Sequence, residues 1–255
     1  MSWRGLRRSH WIRLTPRFFL LLKFSRVALL LPSALVWAYR LVGQNGIHHS
    51  SIFNLVYNGP LRFTSRPSEQ RHAVTFDELS SLVTPLLLGT ASIKDLRDAL
   101  FCILCFAGFL RFGDAIGLRI KDLEFANNDE YVSLKIVKSK TDKYSKGTKV
   151  YIAATGSDLC PVTLLRRFWV SANLSTCPES FLFQQIRFDG RSRRYRLTGN
   201  ALSYGAATHF LRSLAAQVGL QHLNIGTHSF RRGGATAAHF ANVSEHLIQE
   251  QVLEK

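Results

Sequence analysis

The sequence predicts a mainly helical domain carrying one small β-hairpin, and three observations predict it. Apolar residues recur at helical spacing in several segments, two of which open on a threonine cap. A single pair of alternating segments brackets a polar turn. Pro161 and Gly219 stand where a helix should begin and end.

Thr75-Phe-Asp-Glu78 forms a capping box, with Thr75 as cap and Glu78 returning to it, so a helix starts there. Ile93 to Leu110 reads as a long, mostly apolar helix at the centre of the domain. Tyr131–Val137 alternates as a strand, and Lys149–Ala153 answers it across the turn. Pro161 to Ala172 reads as a helix with proline in its tolerant first turn. Asn200 to Val218 reads as another, closed by Gly219, with Tyr204 packed against the core. Thr227 is expected to cap the last helix, His228 to Phe240.

Apolar residues make up 46% of the 255 and charged residues 20%, so the chain can bury a core and is not disordered throughout. The formal net charge is +16, which favours a polyanionic partner, nucleic acid first and an anionic membrane surface second. A basic ribosomal or chromatin protein without catalysis is the plainer alternative. The four cysteines do not form a disulfide framework. Cys102 and Cys105 make a CxxC, but inside an apolar helix with no second pair, which fits buried structural thiols and a reducing compartment better than a metal site.

All 17 acidic residues lie from Glu69 onward, so residues 1–68 form a basic, apolar segment of different character and a boundary falls near Pro67. Its apolar run, Phe18 to Tyr39, is broken by Lys23 and Arg26. The longest uncharged piece, Val27 to Tyr39, falls short of the ~20 residues a spanning helix needs. A secretory signal fits poorly, because the basic stretch before the apolar run is too long. Three readings stay open: a mitochondrial presequence, a degenerate DNA-binding arm, or a gene-prediction artefact.

Three elements of the remainder, residues 73–255, carry chemistry. Arg111 closes an apolar segment in Phe109-Leu-Arg-Phe-Gly-Asp114; such a charge either pairs with Asp114 or Asp122 or lines a cleft. The hairpin turn carries Lys138, Lys140, Lys143 and Lys146, either a solvated loop or a tip that reaches a phosphate. Thr227-His-Ser-Phe-Arg-Arg-Gly-Gly-Ala-Thr236 puts His228 and Arg231 on one helical face, with Arg232 turned away. Gly233 and Gly234 within a helix cost about 1 kcal/mol each against alanine, which a close neighbour would justify. Arg193 and Arg194, around Tyr195, read as an exposed basic loop suited to phosphate contact.

In order and spacing these elements resemble the tyrosine recombinases of the phage integrase family, and the wording around His228 is closest to those of DIRS-type and crypton-type mobile elements. The resemblance covers residues 73 to about 245. It implies the catalytic-domain fold of DNA breaking-rejoining enzymes, double-stranded DNA as partner together with further recombinase protomers, and no metal or other cofactor. It implies Arg111, Lys140, His228 and Arg231 as catalytic residues, with Lys138 and Lys143 as alternatives for the lysine, and Lys138, Lys143, Lys146, Arg193, Arg194 and Arg232 as DNA contacts. Asp114 stands where the family usually has Glu, and Asp122 matches a common Asp. For a eukaryotic source the compartment implied is the nucleus.

The family's nucleophile is a tyrosine beyond the His-x-x-Arg motif, but no tyrosine follows His228 here. The expectation is therefore a DNA-binding chain that lacks autonomous strand cleavage. Two alternatives remain: an enzyme that takes its tyrosine in trans, and a non-enzymatic basic protein. Residues 1–68 are short for the family's core-binding domain, with Ser51 to Tyr57 as its remnant.

Overall fold

The computed structural model describes residues 71–136 and 148–252, together with two isolated helical positions, Trp37 and Leu41. The chain divides into two units, Met1–Glu69 and Gln70–Lys255. The expectations for residues 1–68, and those for Lys138, Lys140, Lys143 and Lys146, lie outside the described residues. Among the described residues no helix is long and apolar enough to cross a membrane.

The second unit is mostly helical, as expected, with two small antiparallel sheets where the sequence predicted one hairpin. Helix α1, Phe76–Leu87, begins at the predicted capping box: Glu78 N donates to Thr75 Oγ1 at 3.2 Å and Thr75 N to Glu78 Oε2 at 2.8 Å. Helix α2, Ile93–Ala107, carries a second box built on Ser92 and Asp95. It is buried from Leu96 to Phe106 and packs against the helices around it. Cys102 and Cys105 are wholly buried within it, and burial pushes both thiols up, so neither is a thiolate.

Helix α2 ends before the predicted Leu110. Leu110 N reaches back to Cys105 O at 3.1 Å and Phe109 N to Phe106 O at 3.4 Å, the double closure of a Schellman turn. That turn needs a left-handed residue, and Phe109 takes it at φ 49°. A bulky side chain in that conformation costs about 1–2 kcal/mol, which packing against the helix that carries Gly234 offsets. The turn delivers Leu110 to the core and Arg111 to the start of α3, Phe112–Gly117.

Strands β1, Leu123–Phe125, β2, Tyr131–Ile136, and β3, Thr148–Ala153, form a sheet in that order. Its register sets Leu134 between Leu123 and Val150, and the alternating Val132, Leu134, Ile136, Val150 and Ile152 are buried. The predicted hairpin strands are both present. Helix α4, Pro161–Ser171, starts on its proline.

The largest departure follows. Residues expected to open a helix at Asn200, and the loop expected around Tyr195, instead form a two-stranded ribbon: β4, Gln184–Asp189, pairs with β5, Arg194–Ala201. The strand wins because Arg194 to Leu197 alternates and finds a partner strand across a short turn at Gly190. Helix α5, Tyr204–Gln217, starts later on Ser203 and ends as predicted before Gly219, at φ 75°. Helix α6 spans Ser229–Phe240 with His228, not Thr227, at its N-cap. Helix α7, Glu245–Val252, follows.

Phe101 sits at the core's centre, with the rings of Phe112, Phe183 and Phe210 edge-on at 4.8, 5.0 and 5.7 Å. Burying each such ring contributes about 1.5–3 kcal/mol. Phe112 also stacks on Phe230 at 6.2 Å. Phe112 follows Arg111 and Phe230 precedes Arg231, so the packing of the core brings the two arginine-bearing segments together.

Candidate functional site

Arg111 occupies the N-cap of α3, its side chain 20% exposed. One turn on, the Asp114 side chain is 7% exposed, with Oδ2 3.9 Å from Arg111 Nη1. The pairing of Arg111 with Asp114 is therefore real, but it does not exhaust the site. Arg231, 6% exposed on α6, donates from Nη1 to the carbonyl of the left-handed Phe109 at 2.9 Å. Burial raises the Asp114 pKa, while the charges of Arg111 and Arg231 both act to lower it. One carboxylate thus feels two guanidinium groups whose residues are 120 positions apart in sequence. Its Oδ2 is buried without a hydrogen-bond partner among the described residues.

Two glycines permit this approach. A Cβ on Gly233 would lie 1.8 Å from the Val74 carbonyl oxygen, and one on Gly234 would lie 2.0 Å from that of Phe106. The close neighbour that the sequence demanded is backbone of the unit itself: the lead-in to α1 beside Gly233 and the end of α2 beside Gly234. Val74 N donates to Ser229 O at 3.1 Å and further locks the start of α6.

His228 is exposed at the start of α6, where its carbonyl accepts from Arg232 N at 3.0 Å. Arg232 is exposed and donates from Nη1 to Arg71 O at 2.7 Å. Asp122 is buried and receives Arg119 N at 3.1 Å, so it organises the turn after α3. Arg193 and Arg194 are exposed on the β4–β5 ribbon. Lys140, with its alternatives, belongs to the stretch outside the described residues.

One residue at the site's margin was not legible in the sequence. Tyr204, expected in the core, is 53% exposed. Its hydroxyl donates to Thr227 Oγ1 at 2.6 Å, directly before His228, and its ring meets Phe112 edge-on at 6.4 Å. It is amphipathic and begins a helix, so its ring reaches the core edge while its hydroxyl stays at the surface. No local pattern pairs it with a threonine so far along the chain.

A pair of buried or half-buried guanidinium groups held by backbone and carboxylate suits an anion with several oxygens, such as a phosphodiester. Residues 73–252 match the model of the phage integrase family. An integrase/recombinase xerD homolog from Selenomonas ruminantium is 27% identical over 171 residues, covering 66% of this chain and 47% of that protein. The XerH site-specific recombinase bound to difH substrate superposes with a TM-score of 0.55 at 19% identity, over 73% of this chain and 48% of that one. A lambda integrase dimer bound to a COC′ core site gives 0.52 at 17% identity, over 88% and 54%. At such identities the structural likeness speaks to the fold, and the chain spans about half the length of these relatives.

Proposed function

Because the chain belongs to the phage integrase family of tyrosine recombinases, we propose that residues 73–252 form a recombinase catalytic domain that grips the scissile phosphate of duplex DNA. The observation that carries the reading is the convergence of the two arginines: Arg111 lies 3.9 Å from Asp114, and Arg231 holds the carbonyl of Phe109, two residues before Arg111. A phosphate entering there joins Asp114 as a second anion between the arginines, and both guanidinium groups can fork onto its non-bridging oxygens. Their attraction grows as negative charge builds in the transition state. His228, at the head of the same helix, supports the proton transfers, and Lys140 protonates the departing 5′-oxygen. In cleavage a tyrosine oxygen bonds to phosphorus, the bond to the 5′-oxygen breaks, and a 3′-phosphotyrosine remains. Within these 255 residues the last tyrosine is Tyr204, upstream of His228, so cleavage needs a tyrosine supplied from outside them. Further protomers on the same DNA fit this reading, since the lambda integrase neighbour is a dimer on its core site.

The test has two parts. The full chain should bind duplex DNA with a steep salt response, about −0.9 in the log–log slope per phosphate contacted. No binding at low salt, or a flat response, refutes the proposal. On a nicked suicide substrate the chain alone should leave no band that survives denaturation. A band abolished by Tyr204→Phe would make Tyr204 the nucleophile and overturn that part. A band that forms only with an added tyrosine-bearing chain supports supply in trans.

A further inference from the structure

The phosphate-gripping arginines do not involve the β4–β5 ribbon, on which the sequence already placed two candidate DNA contacts, Arg193 and Arg194. We propose that this ribbon is a second DNA-contacting element, which lies in a groove of the duplex beside the cut site and holds its phosphates through Arg187, Arg194 and Arg196. The proposal rests on the DNA reading above but uses none of the residues of the site.

Charge is the first observation. Arg187, Arg191, Arg193, Arg194 and Arg196 are all exposed, and the ribbon's one acid is Asp189. Asp189 is engaged in closing the turn: it accepts from Arg191 N at 3.0 Å and Ser192 Oγ at 2.7 Å, and pairs with Arg196 Nη2 at 3.2 Å. Most of the positive charge therefore has no carboxylate of the ribbon to meet.

Register is the second. Arg187 stands directly opposite Arg196, and Arg194 opposite Asp189, so these four share one face. Like charges directly across a strand pair are unfavourable. A ribbon shaped only for its own stability would alternate signs there; an anion laid across the face removes the penalty. The other face is apolar, with Ile186 opposite Leu197 and Phe188 opposite Tyr195, the latter rings 5.2 Å apart. Leu197 packs against the core. The ribbon therefore docks at its base through Leu197, while Phe188 farther out is exposed, and the arginines lie on the opposite face.

Mounting is the third. The buried Arg97 donates to Gln184 O at 2.9 Å. The Gln184 side chain donates to Phe181 O at 2.9 Å and accepts from Gly199 N at 2.7 Å, beside the irregularity in register between Gln184 and Ile186. A base stitched this way holds the backbone that carries the arginines, so little backbone ordering entropy is lost on binding. The far end of β5 runs through Leu202 and Ser203 straight into α5, whose Tyr204 meets Thr227 beside His228. The ribbon's base thus adjoins the segment that carries the site. A two-stranded ribbon is also narrow enough for the major groove, about 12 Å wide. Arginine forks suit phosphate oxygens.

The experiment compares the full chain with R187S/R194S/R196S on a duplex, by fluorescence anisotropy across salt and by hydroxyl-radical footprinting. The triple variant should lose about 2.7 from the magnitude of the log–log slope, ~0.9 per contact, and its footprint should shorten on one flank. R187K/R194K/R196K should keep the slope. If the wild type binds steeply and the serine variant matches it in slope and footprint, the ribbon proposal is overturned while the DNA reading stands; an acidic protein partner would then be the better occupant. If the wild type binds no DNA, the DNA reading itself fails. Ultraviolet crosslinking of the wild-type complex with peptide mapping needs no substitution: crosslinks within residues 187–196 support the ribbon, and crosslinks confined elsewhere overturn it.

Discussion

Replacing Gly233 or Gly234 by alanine sets two effects of opposite sign against each other. Both glycines lie inside α6, where alanine is favoured by about 1 kcal/mol on helix propensity. Propensity alone therefore predicts stabilisation. The structure predicts the reverse. Real Cβ contacts essentially never come under 3.0 Å, whereas the new atoms would lie 1.8 Å from Val74 O and 2.0 Å from Phe106 O. The obstacle is backbone, which cannot rotate aside as a side chain can, so α6 must retreat by roughly 1 Å. Arg231 is on that helix and would be drawn from the Phe109 carbonyl it now meets at 2.9 Å. Overpacking of this kind costs about 1–3 kcal/mol, and loss of a charged hydrogen bond about 1.5–3 more. Against the propensity gain the net loss is about 1.5–5 kcal/mol, which lowers the melting temperature by roughly 3–20 °C for a domain of this size. Thermal unfolding followed by circular dichroism measures it. Gly205 on α5 is the control: it is exposed with nothing within 4 Å of its Cβ position, so Gly205→Ala should be neutral or mildly stabilising. If Gly233→Ala or Gly234→Ala also stabilises the protein, the close approach of α6 to the Val74 and Phe106 backbones is wrong, and with it the route by which Arg231 reaches the site.

Two further predictions concern Asp114 and Tyr204. Burial raises the Asp114 pKa against both arginines, so its share of stability is full below the unfolded Asp pKa of about 3.9 and is lost as pH rises through the raised value. A phosphate between the arginines repels the carboxylate, so DNA affinity should rise as pH falls through that window. Asp114→Asn should bind at neutral pH at least as tightly as the wild type and with a shallower pH response above the unfolded Asp pKa of about 3.9; weaker binding by the Asn variant refutes repulsion between Asp114 and the phosphate. Tyr204→Phe removes one exposed hydrogen bond to Thr227, so it should cost under about 1 kcal/mol and leave DNA affinity unchanged; a large loss of affinity would place the hydroxyl on the DNA.

The capping box at Thr75 and Glu78 and the strand alternation of Tyr131 to Ile136 were legible in the sequence, because each is an interaction among residues within a few positions. The motif order, Arg111 to hairpin to His228 and Arg231, carried the family in the same way. Tertiary structure decided the rest. Helix α2 stops at Ala107 because Phe109 takes the left-handed turn, a strained choice for phenylalanine that depends on a helix arriving from 122 residues away to meet its carbonyl. The β4–β5 ribbon displaced a predicted helix start because Gln184 pairs with Ala201 and its side chain holds Gly199, contacts no local propensity contains. Asp114 became a carboxylate shared by two arginines only when Phe112 stacked on Phe230. Local chemistry is written in neighbouring residues; the sharing of one buried charge by two distant ones is decided by packing, since only a dense core brings such segments within reach.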